Sequence, residues 1–244
     1  MKSATAAPPR RFRRLRWVHR MLHFAILGAV AATGLLVLLL REFPPATTAF
    51  MLRSRSADPA TGMPCDEVAY RWVDRERISP QLPLAVVVAE DQRFLRHRGF
   101  DTRSIRRAVD ERAGGGRSRG ASTLSQQVAK NLFLWPGKSF LRKGLEAWFT
   151  LWIEWLWPKQ RILEVYLNVA QFGPCTFGAQ AASEIYFDTS AADLSAEQAA
   201  LLATVLPNPL RLRAWNPGPY AEARRAEILV LMDELGGSAH LRGL

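Results

Sequence analysis

Glu90, in Glu90-Asp91-Gln92-Arg93-Phe94-Leu95-Arg96-His97-Arg98-Gly99, and Glu146, in Arg142-Lys143-Gly144-Leu145-Glu146, lie 56 positions apart and bracket a segment rich in glycine, hydroxyls, amides and cations. A carboxylate near several Lys and Arg side chains suits the removal of a proton from a hydroxyl beside a bound phosphate. Gly114-Gly115-Gly116 and Gly120 lead into Ser122-Thr123-Leu124-Ser125-Gln126-Gln127-Val128-Ala129-Lys130-Asn131. Thr123 and Gln126 have capping-box spacing, so a helix is expected to start near Ser122. Its free N–H groups and positive dipole end would favour an anion. Gln126 and Lys130 share one face of that helix and Thr123 and Gln127 the next, which aims amides, a hydroxyl and a cation at one cleft. The plainer reading of the same residues is a solvated, capped helix after a flexible loop.

These groups need an element to hold them at their substrate. The chain of 244 residues is 48% hydrophobic, enough for one sizeable domain and an appendage. Residues 21–40, Met21 to Leu40, carry no formal charge, and about twenty such residues cross the hydrocarbon core as a helix. A retained anchor is expected rather than a cleaved signal, because the stretch outruns a signal's apolar region and no small-residue cleavage site precedes Arg41-Glu42-Phe43-Pro44-Pro45. Residues 1–20 hold seven of the 33 basic residues and no acid, so +7 of the formal +11 lies there. That asymmetry predicts a cytoplasmic N-terminus and an extracytoplasmic remainder. It also assigns most of the basicity to anionic headgroups, and no nucleic-acid partner is expected.

Five blocks in order resemble the signature of the peptidoglycan glycosyltransferases, family fifty-one of the glycosyltransferases: Glu90 to Gly99, Gly120 to Asn131, Arg142 to Glu146, Ile162-Leu163-Glu164-Val165-Tyr166-Leu167-Asn168, and Phe172-Gly173-Pro174-Cys175-Thr176-Phe177-Gly178 with Ala181-Ala182 and Tyr186-Phe187. The likeness spans roughly residues 70 to 220. It implies an all-α, lysozyme-like glycosyltransferase domain preceded by a single N-terminal transmembrane helix. The expected division is a basic tail (1–20), the transmembrane helix (21–40), an approach segment (41–69), the glycosyltransferase domain (70–235) and a frayed tail (236–244).

Leu84 to Ala89 is β-branched enough for a strand, but Pro83 suits a helix start and the resemblance favours a helix. Ser139 to Trp157 reads as one helix carrying Trp148, Trp152, Trp155 and Leu156 as an apolar stripe. Burial in the core is the expectation for that stripe, and an aromatic face at the membrane surface the alternative. Pro158 should interrupt it before a helix over Lys159 to Asn168, and a last helix is expected over Tyr220 to Leu235. Cys65 and Cys175 have no zinc-like spacing; an exported domain can join them, but free thiols are the default expectation. Cys175 stands where the family usually has glycine, so a positive φ there would require an adjusted turn.

By resemblance the chain joins disaccharide-peptide units carried on undecaprenyl diphosphate, with lipid II and the growing glycan strand as substrates. Glu90 is the implied general base, and Glu146 the second carboxylate. Lys130, Lys138, Arg142 and Lys143 would bind the diphosphate, supported by Ser122, Thr123, Gln126 and Gln127. Asp91, Phe94, His97 and Asn168 would support the site. No metal site is assigned; Glu146 is the single candidate for a divalent cation, magnesium or manganese. Partners beyond substrate and membrane would be cell-wall synthesis or division proteins. The chain has neither Ser-x-x-Lys nor Lys-Thr-Gly, so the monofunctional form, without a penicillin-reactive transpeptidase, is expected. Three alternatives remain: a lysozyme-like peptidoglycan hydrolase, a membrane scaffold that tolerates loss of Glu90, and a nucleic-acid binder resting on the basic tail alone.

Overall fold

The computed structural model describes residues 10–57, 62–114, 122–137 and 139–241. Lys138 and most of the glycine-rich run before Ser122 therefore lie outside the described residues. Ten α-helices carry the described chain: α1 (Arg10–Glu42), α2 (Ala49–Ala57), α3 (Gln81–Glu90), α4 (Thr102–Ala113), α5 (Leu124–Phe133), α6 (Phe140–Leu156), α7 (Lys159–Val169), α8 (Ala179–Phe187), α9 (Ala196–Val205) and α10 (Pro219–Glu234). Three strands absent from the sequence reading form a small sheet: β1 (Ala69–Tyr70), β2 (Gln171–Gly173) and β3 (Thr176–Phe177). β3 lies between the others, parallel to β1 and antiparallel to β2.

α3 is the central helix. Leu82, Leu84, Ala85, Val86, Val87 and Val88 are all buried, so the run has no polar face and no alternation. Pro83 sits in the first turn, where its missing N–H leaves no helical bond unmade. α9 and α10 cover α3 on one side, and its last residue is Glu90. Gly237–Leu241, expected to fray, instead forms a 3₁₀ turn packed against α3.

α1 is long and apolar over Arg16–Glu42, with mean hydropathy 2.3 in its most apolar window. Its final turns dock on α6 and α7. Gly34 lies under the Trp152 ring, where an added Cβ would come within 2.9 Å of ring carbon. The Trp157 indole Nε1 donates to Val37 O at 2.8 Å. Arg161 donates to Leu40 O at 2.9 Å and Phe43 O at 3.0 Å. Leu40 O belongs to the last turn, whose carbonyls lack helical donors, and a guanidinium is well placed at that negative dipole end.

The stripe of α6 is split: Trp152 and Leu156 pack against the core as expected, Trp148 is half-buried, and Trp155 turns outward. Trp155 and Leu151 are 75% and 57% exposed, Trp152 packs between α1 and its neighbours, and the protein core also receives Ile153 and Trp157. Periodicity correctly marked an apolar face; the environment it meets lies partly outside the protein.

Cys65 and Cys175 form a disulfide across 110 residues, which corrects the free-thiol expectation. Cys175 has φ 54°, a conformation rare for a residue with a Cβ. The bridge, with Ala69 N donating to Cys175 O at 2.9 Å, binds the approach segment to the loop between β2 and β3.

Candidate active site

The C-terminus of α3, the N-terminal half of α5 and the first turns of α6 converge. Asp91 caps α3 and is buried. Its Oδ2 accepts the Leu124 N–H at 3.0 Å, and both its oxygens lie 2.9 Å from His97 Nε2, which therefore carries the proton. Thus the anion at the start of α5 is the protein's own Asp91 carboxylate, in the place where an exogenous anion was expected. Phe94 is fully buried beneath this loop, and Gly99 (φ 82°) lies against Thr150, where a Cβ would come within 2.7 Å of the threonine methyl.

The capping box predicted from the sequence is present. Thr123 N donates to Gln126 Oε1 at 3.0 Å, and Gln126 N to Thr123 Oγ1 at 3.3 Å. Thr123 Oγ1 also donates to Gly99 O at 2.7 Å. Both side chains are buried, so the structure uses Thr123 and Gln126 to fix the helix start and does not bring them to the cleft. One step around the helix, Gln127 and Lys130 are only partly covered, and Ser122 is exposed.

Ser122, Gln127, Lys130, Arg142, Lys143 and Glu146 all line one cavity of about 460 Å³. Phe50 of α2, Tyr166 of α7 and Leu206, Pro207, Pro209 and Leu210 form other parts of its wall. At the inner edge, Gln127 Nε2 donates to Glu90 Oε2 at 2.7 Å, and the Tyr166 hydroxyl donates to Gln127 Oε1 at 3.0 Å. Burial raises the Glu90 pKa, only partly offset by the Gln127 hydrogen bond and the charges of Lys130 and Arg224, with Asp91 adding to the rise.

Glu146 is buried and takes Arg142 Nη1 on Oε2 at 2.6 Å and the Lys143 ammonium on Oε1. Both Glu146 oxygens are thus engaged by cations, and among the described residues there is no group of three or more His, Cys, Asp or Glu that could hold a metal ion. Lys130 has its pKa lowered, chiefly by burial, with the Arg142 and Lys143 charges lowering it and Glu146 and Glu90 opposing. Among the described residues no carboxylate pairs with it; its ammonium sits 5.4 Å from the centre of the Phe50 ring.

Asn168 supports the site from a distance. It is buried, exchanges hydrogen bonds with both backbone groups of Val73 at 2.9 Å, and ties α7 to the residues following β1. Sequence reasoning assigned no role to three residues found here. Tyr166 was present in a quoted block without a task, while Phe50 and Arg224, whose Nη2 reaches Ala89 O at 3.5 Å, sit in stretches with no local signal.

An all-α domain in which helix α3 ends in a carboxylate held by Gln127, itself part of the wall of a cationic cavity, and which is joined to a long apolar helix, fits a membrane-associated transglycosylase. Residues 60–233 match the family described as Transglycosylase, and the chain belongs to it. Among its relatives, a biosynthetic peptidoglycan transglycosylase of Pseudomonas aeruginosa is 50% identical over 93% of this chain and 97% of its own length. One from Xanthomonas oryzae pv. oryzae is 49% identical over 97% and 95%, and one from Xylella fastidiosa 54% identical over 70% and 71%.

Proposed function

We propose that the protein polymerises lipid-linked disaccharide-peptide, lipid II, into glycan strands for the bacterial cell wall, releasing undecaprenyl diphosphate. The observation that carries the reading is the pairing of a partly buried carboxylate of raised pKa with a cavity walled by Lys130, Arg142 and Lys143. Glu90 takes the proton from the acceptor hydroxyl as its oxygen bonds to the donor's anomeric carbon and the bond to the diphosphate breaks. Its raised pKa brings it nearer the working pH, where a base is most effective. Lys130 is a cation penalised by burial and, among the described residues, without a carboxylate in an ion pair with it, so an arriving diphosphate relieves it while its own charge is stabilised. Arg142 and Lys143, oriented by Glu146, extend that field. Lys138 is assigned to the same anion by its place in the motif alone.

The membrane supplies the donor. Docking of α1 on α6 sets the exposed Leu151 and Trp155, with the half-buried Trp148, beside apolar turns of the anchor, where aromatic rings suit a lipid interface. The N-terminus is cytoplasmic and the domain extracytoplasmic in this reading, with the tail's seven cations as its support. The test is incubation of purified protein with radiolabelled lipid-linked disaccharide. Glycan polymer from the wild type and none from Glu90→Gln is the expected result; release of fragments from finished glycan without polymer would replace the transferase by a hydrolase.

A further inference from the structure

We infer that Tyr166 is a positioning residue for the Glu90 base, acting through Gln127: its hydroxyl locks the Gln127 amide in the one orientation that presents N–H to the carboxylate.

The argument starts from the donor inventory. A carboxylate only accepts, whereas a glutamine amide offers a donor end and an acceptor end that exchange by a half-turn. Gln127 Nε2 lies 2.7 Å from Glu90 Oε2. The flipped amide would set a carbonyl oxygen against an ionised carboxylate at that distance, but against a protonated one it would accept a good hydrogen bond. Amide orientation and Glu90 protonation are therefore coupled. At the far end of the amide stands Tyr166, fully buried, with its hydroxyl 3.0 Å from Gln127 Oε1. Burial and the nearby Glu90 and Asp91 carboxylates hold the phenol protonated, so it faces Oε1 as a donor. The resulting chain, Tyr166 to Gln127 to Glu90, favours the state able to accept a proton.

Tyr166 is well anchored for this task. Its neighbours Val165 and Leu167 are buried on α7, which packs on α5, the helix that carries Gln127. The other charged groups facing Glu90 come from separate elements: Asp91 at the end of α3, Lys130 on α5 and Arg224 on α10. Among the described residues the hydrogen bond of the Tyr166 hydroxyl goes to Gln127 and not to any of these groups, so removing that hydroxyl breaks the Gln127 link while leaving their own contacts with Glu90 in place.

The inference rests on the proposed base role of Glu90, and its test has an arm that needs no catalysis. The Glu90 carboxyl carbon is followed by NMR in ¹³C-glutamate-labelled full-length protein in detergent micelles, assigned by its loss in Glu90→Gln. Tyr166→Phe should move the titration midpoint upward, because the flipped amide and the protonated carboxyl become available together. Gln127→Ala, at a partly covered position, should also move it upward, and adding Tyr166→Phe to that variant should then change nothing. An unmoved midpoint in either single variant, or an equal displacement by Tyr166→Phe with and without Gln127, would overturn the relay. In the polymerisation assay the acid limb of kcat/KM should follow, with about a three- to tenfold loss at its acid end and a plateau closer to wild type. A shifted titration in a protein that makes no polymer would remove the function and keep the relay. The converse result would remove the relay and keep the function.

Discussion

Breaking the Cys65–Cys175 bridge should remove a large share of the domain's stability. The bridge spans 110 residues, and the chain-entropy relation for a loop of that length gives about 5 kcal/mol at room temperature. Against this stands the backbone at Cys175, whose φ of 54° costs a residue with a Cβ about 1–2 kcal/mol. Cys175→Gly recovers that cost but admits the greater freedom of glycine in the unfolded chain, so its net loss should be about 4 kcal/mol. Cys65→Ala leaves Cys175 in its unfavourable conformation and should lose the full amount. At about 2–4 °C per kcal/mol for a chain of this size, reduction should lower Tm by about 10–20 °C. The assay is thermal melting followed by circular dichroism in detergent, with and without reductant, scission being verified by alkylation of both thiols and mass measurement. A Tm that holds within about 2 °C in fully alkylated protein would refute the chain-entropy reasoning. Greater damage from Cys175→Gly than from Cys65→Ala would refute the backbone part.

Glu90→Gln should stabilise the fold at neutral pH while abolishing polymerisation. The folded pKa of Glu90 is raised above its unfolded value. Its contribution to stability is therefore fully present below the unfolded pKa and lost as pH rises through the folded one. The neutral amide avoids that loss, so the melting advantage of the variant should grow with pH and vanish in acid; an advantage independent of pH would contradict the burial argument. Glu146→Ala should destabilise by about 3–5 kcal/mol, since it strands the buried Arg142 guanidinium, and denaturant titration measures this. A loss under about 1 kcal/mol would mean that Arg142 finds water or another acceptor.

What the sequence revealed was what local spacing determines. Thr123 and Gln126 were legible as a capping box because the box is made within four residues. Their exclusion from the cavity was not, because the same spacing is silent on which face α6 and α7 cover. Glu90 was legible through its motif, yet its hydrogen-bonded chain to Tyr166 joins residues from three helices. The Cys65–Cys175 pair depends on the β1–β3 register, set by residues that carry no strand-like pattern of their own. The α6 tryptophans illustrate a different gap: a periodic apolar stripe predicts that something covers it, and only the docking of Gly34 beneath Trp152 decides between protein and lipid.

The hydrogen bonds from Trp157 and Arg161 to Val37, Leu40 and Phe43 tie the end of the apolar stem directly to the body of the domain. A stem fused in this way would hold the reacting groups at one height, like a station bolted to the quay, and the nascent polymer would have to do the travelling. Changes in bilayer thickness that tilt the stem would then rotate the whole cleft with it, making the mechanics of the surrounding lipid an input to strand synthesis.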